Sequence, residues 1–261
     1  MMNTTRRDVM EQTIDGIEYA KDHGIVVNKT SPYSVDQNLW GRSIECGVLE
    51  YPDQEPPEEV YEWTKPIEKI SDKPEYITIE FAEGVPTKLN GKTMDPVHLI
   101  EQSNKIAGDY GVGRIDHMED RLIGIKSREV YECPSATILL EAHRDIEKTV
   151  LTRHEALFKQ QIDMQWAFLA YAGLWMDPLR EDLEGFIDKT QERVYGKVKL
   201  KIYKGGVRVV GRSSPYSLYD LNLATYNLKT TFDQTASKGF IELWGLPTVL
   251  AHSLKMKKRS R

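Results

Sequence analysis

Two stretches of this 261-residue sequence concentrate side chains that could hold a small polar ligand. In PYSVDQNLWGRSIECGVLE, residues 32–50, polar side chains including Ser34 and Ser43 alternate with Leu39, Trp40, Ile44 and Val48. GVGRIDHMEDRLIGIKSREVYE, residues 111–132, is thick with acids and bases, yet glycines and Ile115, Met118, Leu122, Ile123 and Ile125 run through it as in a buried element. Buried charges persist when they are paired or when a ligand completes them. One reading is therefore a wall of fixed donors and acceptors for a zwitterionic ligand, with Ile123 and Ile125 anchoring the backbone. The other is a partly exposed strand pair laced with ion pairs, each worth little. Ser34 could equally cap a helix and Ser43 face water. Periodicity does not choose between these readings.

Other chemistries have less to stand on. There is no GxxxxGK[ST], no GxGxxG after a strand and no SGGxDT, so this sequence carries no recognisable triphosphate cradle. Lys204-Gly205-Gly206 is hairpin punctuation. The histidines are scattered, and His143 and His154 fall on helices without a carboxylate–histidine pattern, so no metal site is expected. Cys46 and Cys133 stand far apart with no CxxC, which suits free thiols in a reducing cytoplasm. GxSxG is missing.

The elements that must position these residues read as follows. EQTIDGIEYAKDHG predicts a helix with Ile14 and Ile17 on one face and Gly24 as its stop, followed by a strand end at Ile25-Val26-Val27. Ser34 and Gln37 stand at capping-box spacing and predict a short helix over SPYSVDQNLW. Residues 51–74, rich in proline and acids, predict an extended surface excursion. EYITIEFAEG with GVPTKLNG predicts a hairpin that buries Ile77, Ile79 and Phe81. Asp95-Pro96 starts a helix with Val97, Ile100 and Ala107 as its buried stripe. In residues 111–132 strands are expected, with Ile123, Ile125, Ser127, Glu129 and Tyr131 sharing one face at period two. Helices then begin at Pro134, after the capping box Thr152-x-x-Glu155, and at Asp177-Pro178. KVKLKIYKGGVRVVGR is the clearest hairpin. Hairpins beside a helical cluster argue for an α+β fold with antiparallel sheet, not a doubly wound parallel one.

A net charge of −5 gives no electrostatic case for nucleic acid, and no apolar run approaches the ~20 residues a membrane helix needs. The first residues lack a signal-peptide core, so a cytoplasmic location is expected.

Three segments carry a resemblance that reaches further: NLWGRSIECGVLE; GVGRIDHMEDRLIGIKSREVYE with CPSATILLEAHRDIE after it; and DKTQERVYGKVKLKIYKGGVRVVGRSSPYSLYD. In this order they resemble argininosuccinate synthase, and the similarity runs from IEYAKDHGI to GFIELWGLPT. It covers only that family's C-terminal part, without the SGGLDTS phosphate loop and the aspartate-binding residues. The resemblance implies an ATP-dependent condensation of L-citrulline with L-aspartate through a citrullyl-adenylate, with magnesium carried on ATP. It implies citrulline contacts at Ser34, Ser43, Glu119 and Tyr131, and a homo-oligomer, a tetramer by family. It further implies that residues 1–30 are the last helix and strand of a nucleotide domain, 31–246 the synthetase and multimerisation domain, and 247–261 a basic, solvated tail. Asp120 stands where the family commonly has asparagine and Tyr33 where some members have tryptophan; neither removes a ligand contact. Two roles follow: one half of a split enzyme needing a separate ATP-binding half, which would dock on Ile14, Ile17 and the Ile25-Val26-Val27 strand, or a non-catalytic module that oligomerises or binds an amino acid.

Overall fold

The computed structural model describes residues 19–26, 32–225 and 231–259. Ile14, Ile17 and Val27 lie outside the described residues. Residues 19–22 are helical and Gly24 turns the chain at φ 67°, the expected stop. Ile25 and Val26 follow in no regular element and are exposed, so the strand expected there does not form over these two residues.

Two compact units divide the chain. The first contains the described residues up to Glu80, Pro86–His143 and Val198–Gly211; the second contains Phe81–Val85, Arg144–Lys197 and the described residues from Arg212 onward. The architecture is α+β with antiparallel sheets, as expected. Strands β1 (Ser34–Gln37), β2 (Arg42–Glu45), β6 (Arg114–Asp120) and β7 (Lys126–Glu132) form a sheet in the order β1-β2-β7-β6, antiparallel throughout. Strands β3 (Glu75–Ala82), β4 (Val85–Leu89), β5 (Lys92–Thr93), β8 (Gly196–Tyr203) and β9 (Gly206–Ser213) form the other, in the order β5-β4-β3-β8-β9. Ile77, Ile79 and Phe81 are buried, as the alternation predicts. The β8–β9 turn is Lys204-Gly205, one residue earlier than the Gly-Gly pair suggested; both residues have positive φ, which matches the right-handed twist of the flanking strands.

The helix expected over SPYSVDQNLW is instead the β1–β2 hairpin. Asn38 decides this: its side-chain oxygen accepts from Trp40 N at 2.8 Å and Gly41 N at 3.3 Å, and its own N–H bonds Gly41 O at 2.9 Å. A side chain that closes the turn by itself competes with helix.

Residues 51–74 are not a loose excursion either. They carry short 3₁₀ turns at Glu58–Val60 and Ile67–Lys69 and bury Val60, Thr64 and Ile70. The cause is the carboxylate of Glu132, which is fully buried at 0% exposure. One oxygen accepts from Trp63 N, Thr64 N and Thr64 Oγ1 at 2.9, 2.9 and 2.7 Å. The other accepts from Glu62 N at 2.9 Å and Arg42 Nη1 at 3.1 Å. Arg42, Glu132 and Arg114 face one another across β2, β7 and β6, so a cation flanks the carboxylate on each side. Arg114 donates to Thr64 Oγ1 and Thr64 O, pairs with both oxygens of Glu58 and lies 3.8 Å from the Tyr61 ring centre.

Helix α1 (Pro96–Asp109) follows in the same unit. Asp95 caps it and Pro96 opens it, as read from the sequence. Its buried stripe is Leu99, Ser103, Ala107 and Gly108; Val97 is half exposed and Ile100 only partly covered, because the covered row passes through a serine that an apolar pattern overlooks. A side chain at Gly108 would place its Cβ 2.1 Å from the Trp63 carbonyl oxygen, so glycine lets the 63–65 backbone lie on this helix.

Helix α2 (Pro134–Val150) starts in the first unit and ends in the second. The second unit also holds α3 (Arg153–Tyr171) and α4 (Pro178–Gln191), each starting at its expected cap. The capping box is complete: Thr152 N donates to Glu155 at 2.8 Å and Glu155 N to Thr152 Oγ1 at 3.3 Å. Phe158 meets Phe186 edge-on at 5.3 Å, and buried Lys159 is held by Glu147 at 3.1 Å and Asp163 at 2.8 Å. Three further helices, α5 (Leu221–Ala224), α6 (Ala236–Trp244) and α7 (Leu246–Arg259), complete the described chain. The segment expected as a basic tail is thus helical through Arg259. Among the described residues no helix is long and apolar enough to cross a membrane.

Replacing Glu132 by alanine removes the acceptor of five donors, one of them the buried Arg42, which costs about 3–5 kcal/mol by the rule for breaking one side of a buried charge pair. A lowered denaturation midpoint with 51–74 becoming protease-sensitive is the expected result. Thr152→Ala, which removes only a helix cap, costs about 1 kcal/mol; comparing the two midpoints under the same denaturant checks both.

Candidate functional site

Cross-strand pairing assigns every side chain of the four-stranded sheet to one of two faces. Asp36 stands opposite Ser43, Ser43 opposite Tyr131, and Tyr131 opposite Ile115. By the two-residue period Ser34, Glu45, His117, Glu119, Ser127 and Glu129 lie on that same face. All four residues singled out from the sequence, Ser34, Ser43, Glu119 and Tyr131, therefore share one surface, drawn from four strands. The opposite face carries Ile44 and Val130 in the core, together with Arg42, Arg114, Lys126 and Arg128.

This sorting explains the charge-rich segment. Every Lys and Arg of these strands points to the core side, where Arg128 pairs with Asp116 at 2.6 Å and Lys126 with Asp120 at 2.6 Å. The hydrogen bonds from Arg128 hold the Asp116 carboxyl below its usual range. The other face has Asp36, Glu45, Glu119 and Glu129, with His117 and no Lys or Arg of its own strands; Arg121, from the β6–β7 turn, approaches Glu45 at 3.9 Å. It is an acidic surface dotted with hydroxyls, suited to a ligand that brings N–H donors or a positive charge.

Tyr131 is its centre. The phenolic oxygen lies 2.6 Å from Glu129 Oε2 and 2.9 Å from Glu119 Oε2. Burial, and then the two neighbouring carboxylates of Glu129 and Glu119, push the phenol above its ordinary range. A cleft of 350 Å³ opens beside it, lined by Asp36, Asn38, Trp40, Ser43, Tyr131 and Cys133 among others. Ser34 and Glu119 share the face but do not line that cleft. Burial likewise raises the Cys133 thiol, leaving it a poor nucleophile at this edge. A second cavity of 370 Å³, against Leu39, Trp63 and Asn104, includes none of the four residues.

Ile123 and Ile125 do not anchor this face. They sit at or beside the β6–β7 turn and are 77% and 58% exposed, because β7 begins only at Lys126. Ile115, Met118 and Leu122 are exposed as well. Ser127, Glu129 and Tyr131 do share one face, as the two-residue period predicts, and Glu129 joins the candidate site through its contact with Tyr131. Cys46 has φ 73° and ψ −179°, a region nearly restricted to glycine, for which the sequence carries no local signal. With Gly47 at φ 62° it turns the chain sharply just after Glu45. Among the described residues no group of three or more His, Cys, Asp and Glu is placed to hold a metal ion.

The family model described as arginosuccinate synthase C-terminal domain matches residues 33–251. A protein of Pyrococcus furiosus named argininosuccinate synthase is 56% identical over 91% of this chain and 58% of its own length. Those of Dictyoglomus turgidum and Methanocaldococcus jannaschii, with the same name, are 54% and 52% identical over 94% and 97% of this chain, and 61% and 64% of their own lengths. The chain spans about three-fifths of the relatives it matches. With the family model matched over most of its residues, the chain belongs to the argininosuccinate synthase family and corresponds to that family's C-terminal domain.

Proposed function

We propose that this chain supplies the citrulline-binding face of an argininosuccinate synthase and requires an ATP-binding part not contained in it. The observation that carries this reading is the convergence of Ser34, Ser43, Glu119 and Tyr131 on one acidic sheet face. Citrulline offers an ammonium, a carboxylate and a neutral ureido group. Carboxylates accept from N–H donors, while serine hydroxyls donate or accept as the ligand requires. In the proposed reaction the ureido oxygen attacks the α-phosphate of ATP and pyrophosphate leaves; the amine of aspartate then displaces AMP. Adenylylation converts that oxygen into a good leaving group. This chain's contribution is positioning, because a reactant held in line gains much of its rate from orientation alone. Phosphate charge and magnesium are assigned to the ATP-binding part, as the family resemblance implies.

An oligomer is part of the proposal. Helices α6 and α7 leave Phe240, Ile241, Leu243, Trp244, Val249 and Leu250 exposed, more apolar surface than a solitary helix pair ordinarily shows to water. The same observation favours the second reading, a non-catalytic oligomerising module.

Mixing the purified chain with a complementary nucleotide-binding half and following AMP release separates the two. Activity with citrulline, aspartate and ATP only in the mixture supports the split enzyme; none in any combination leaves the module. In the active mixture Glu119→Ala should lower kcat/KM for citrulline by about 10–150-fold, the equivalent of a lost charged hydrogen bond of ~1.5–3 kcal/mol, with the circular-dichroism spectrum unchanged. Unaltered citrulline kinetics in that variant would falsify the assignment.

A further inference from the structure

The cleft beside Tyr131 has a wall that lies outside the strands. It is formed by Asn38, Trp40 and Gly41 from the β1–β2 turn and by Cys133 and Ala136 around the start of α2. Because β1 is the edge strand of its sheet, the ladder holds this turn from one side only. Asn38 closes the turn internally, which fixes its shape but not its place relative to α2. Asn104 of α1 ties the two segments together: its Nδ2 donates to Leu39 O at 3.0 Å, and its Oδ1 accepts from Ser135 N at 2.8 Å. Ser135 N belongs to the first turn of α2, whose amides find no partner within their own helix. Helix α1 is itself docked on the segment that Glu132 holds, since Lys65 N donates to Gly108 O at 2.9 Å. Gly41 completes the approach from the other side: a Cβ there would stand 2.6 Å from Cys133 Sγ.

We propose that Asn104 is a positioning residue for amino-acid binding: its amide holds the β1–β2 turn at a fixed distance from the start of α2 and so sets the width of the cleft. This rests on the reading of the face as an amino-acid site and deepens it, because it names what keeps the ligand's wall in place. The arrangement needs an amide. Leu39 O only accepts and Ser135 N only donates, and an asparagine side chain carries one donor and one acceptor on a single branch point. Aspartate has the same shape but offers no donor to Leu39 O, while its charge suits the N-terminal end of α2. That substitution frees the turn and leaves α2 anchored, which separates the width of the cleft from the integrity of the helix start. Coupling of this kind is reciprocal: a held turn favours the ligand, and a bound ligand favours the held turn.

The test uses the full chain with the complementary half and L-citrulline as the titrant in calorimetry. In N104D citrulline affinity should fall about three- to tenfold, the range of one neutral hydrogen bond, while KM for ATP and for aspartate stays unchanged. Hydrogen exchange should quicken at the Trp40 and Gly41 amides, which the closed turn protects, and stay slow at Ser135 N. T152A, which weakens a helix cap in the other unit, serves as the control: it should lower the denaturation midpoint and leave citrulline affinity alone. An equal loss of affinity in T152A makes the effect one of general stability and overturns the proposal, as does an N104D that binds citrulline like wild type. Should N104D fail to fold, the wild type carries the test through the Asn104 side-chain amide followed by NMR. One of its two protons should exchange slowly, and more slowly again with citrulline bound; no response to citrulline overturns the proposal. If the wild-type chain takes up no citrulline even with the complementary half, the amino-acid reading itself is wrong and this inference falls with it. Uptake by wild type with N104D unaffected defeats this inference alone.

Discussion

The structure of the first unit depends on one buried carboxylate. Glu132 closes β7, is shut off from solvent and accepts five hydrogen bonds, three of them from consecutive backbone N–H groups at residues 62–64. An ion in that position is costly to dehydrate, and only a full set of donors offsets the loss of water. Those donors come from a segment with almost no regular structure of its own. The carboxylate thus gives the 58–64 backbone the partners that a helix or sheet would otherwise supply. Arg42 and Arg114 on either side extend the same clamp to Val60 O, Glu58 and Thr64 O.

That clamp occupies the core side of the sheet, and this is what frees the other side. With Arg42 and Arg114 turned inward to hold residues 58–64, the outward face keeps acids and hydroxyls. A binding surface built on strands whose reverse side is locked by buried hydrogen bonds holds its side chains more closely than one carried on loops. Ser43 and Tyr131, neighbours across β2 and β7, are adjacent in sequence to Arg42 and to Val130 and Glu132. A loosening of the clamp would therefore reach the acidic face through the same two strands.

Much of this was legible in the sequence where the governing contact is local. The caps at Asp95, Thr152 and Asp177 act on groups within three residues, and the β8–β9 hairpin declares itself by alternation around a glycine turn. The errors lie where a distant or side-chain contact overrules the local pattern. Residues 51–74 look solvent-bound because their organiser, Glu132, is 68 residues from Thr64. SPYSVDQNLW carries helix-start spacing, but Asn38 spends its side chain on a turn. Ile123 and Ile125 fit a period-two row that runs past the end of the strand into the turn. The candidate site came from family resemblance, not from spacing. Yet its parity was readable once register was known, since Glu119, Glu129 and Tyr131 are odd-numbered on paired strands with no bulge between them.

The same parity bears on why a surface with so many acids is kept. Asp36, Glu45, Glu119 and Glu129 repel one another, and Cys46 adds backbone strain of order 1–3 kcal/mol at the end of the strand that carries Ser43 and Glu45. Neither feature helps the fold: a lysine on this face, or glycine at position 46, would relieve each. Local departures from what folding prefers collect at functional sites, where a ligand supplies the missing interaction. An ammonium or N–H donor seated against Tyr131 would turn the repulsion into attraction. On the proposed reading the clamp behind the acidic face is the stabilising element that lets the chain carry these carboxylates on one surface.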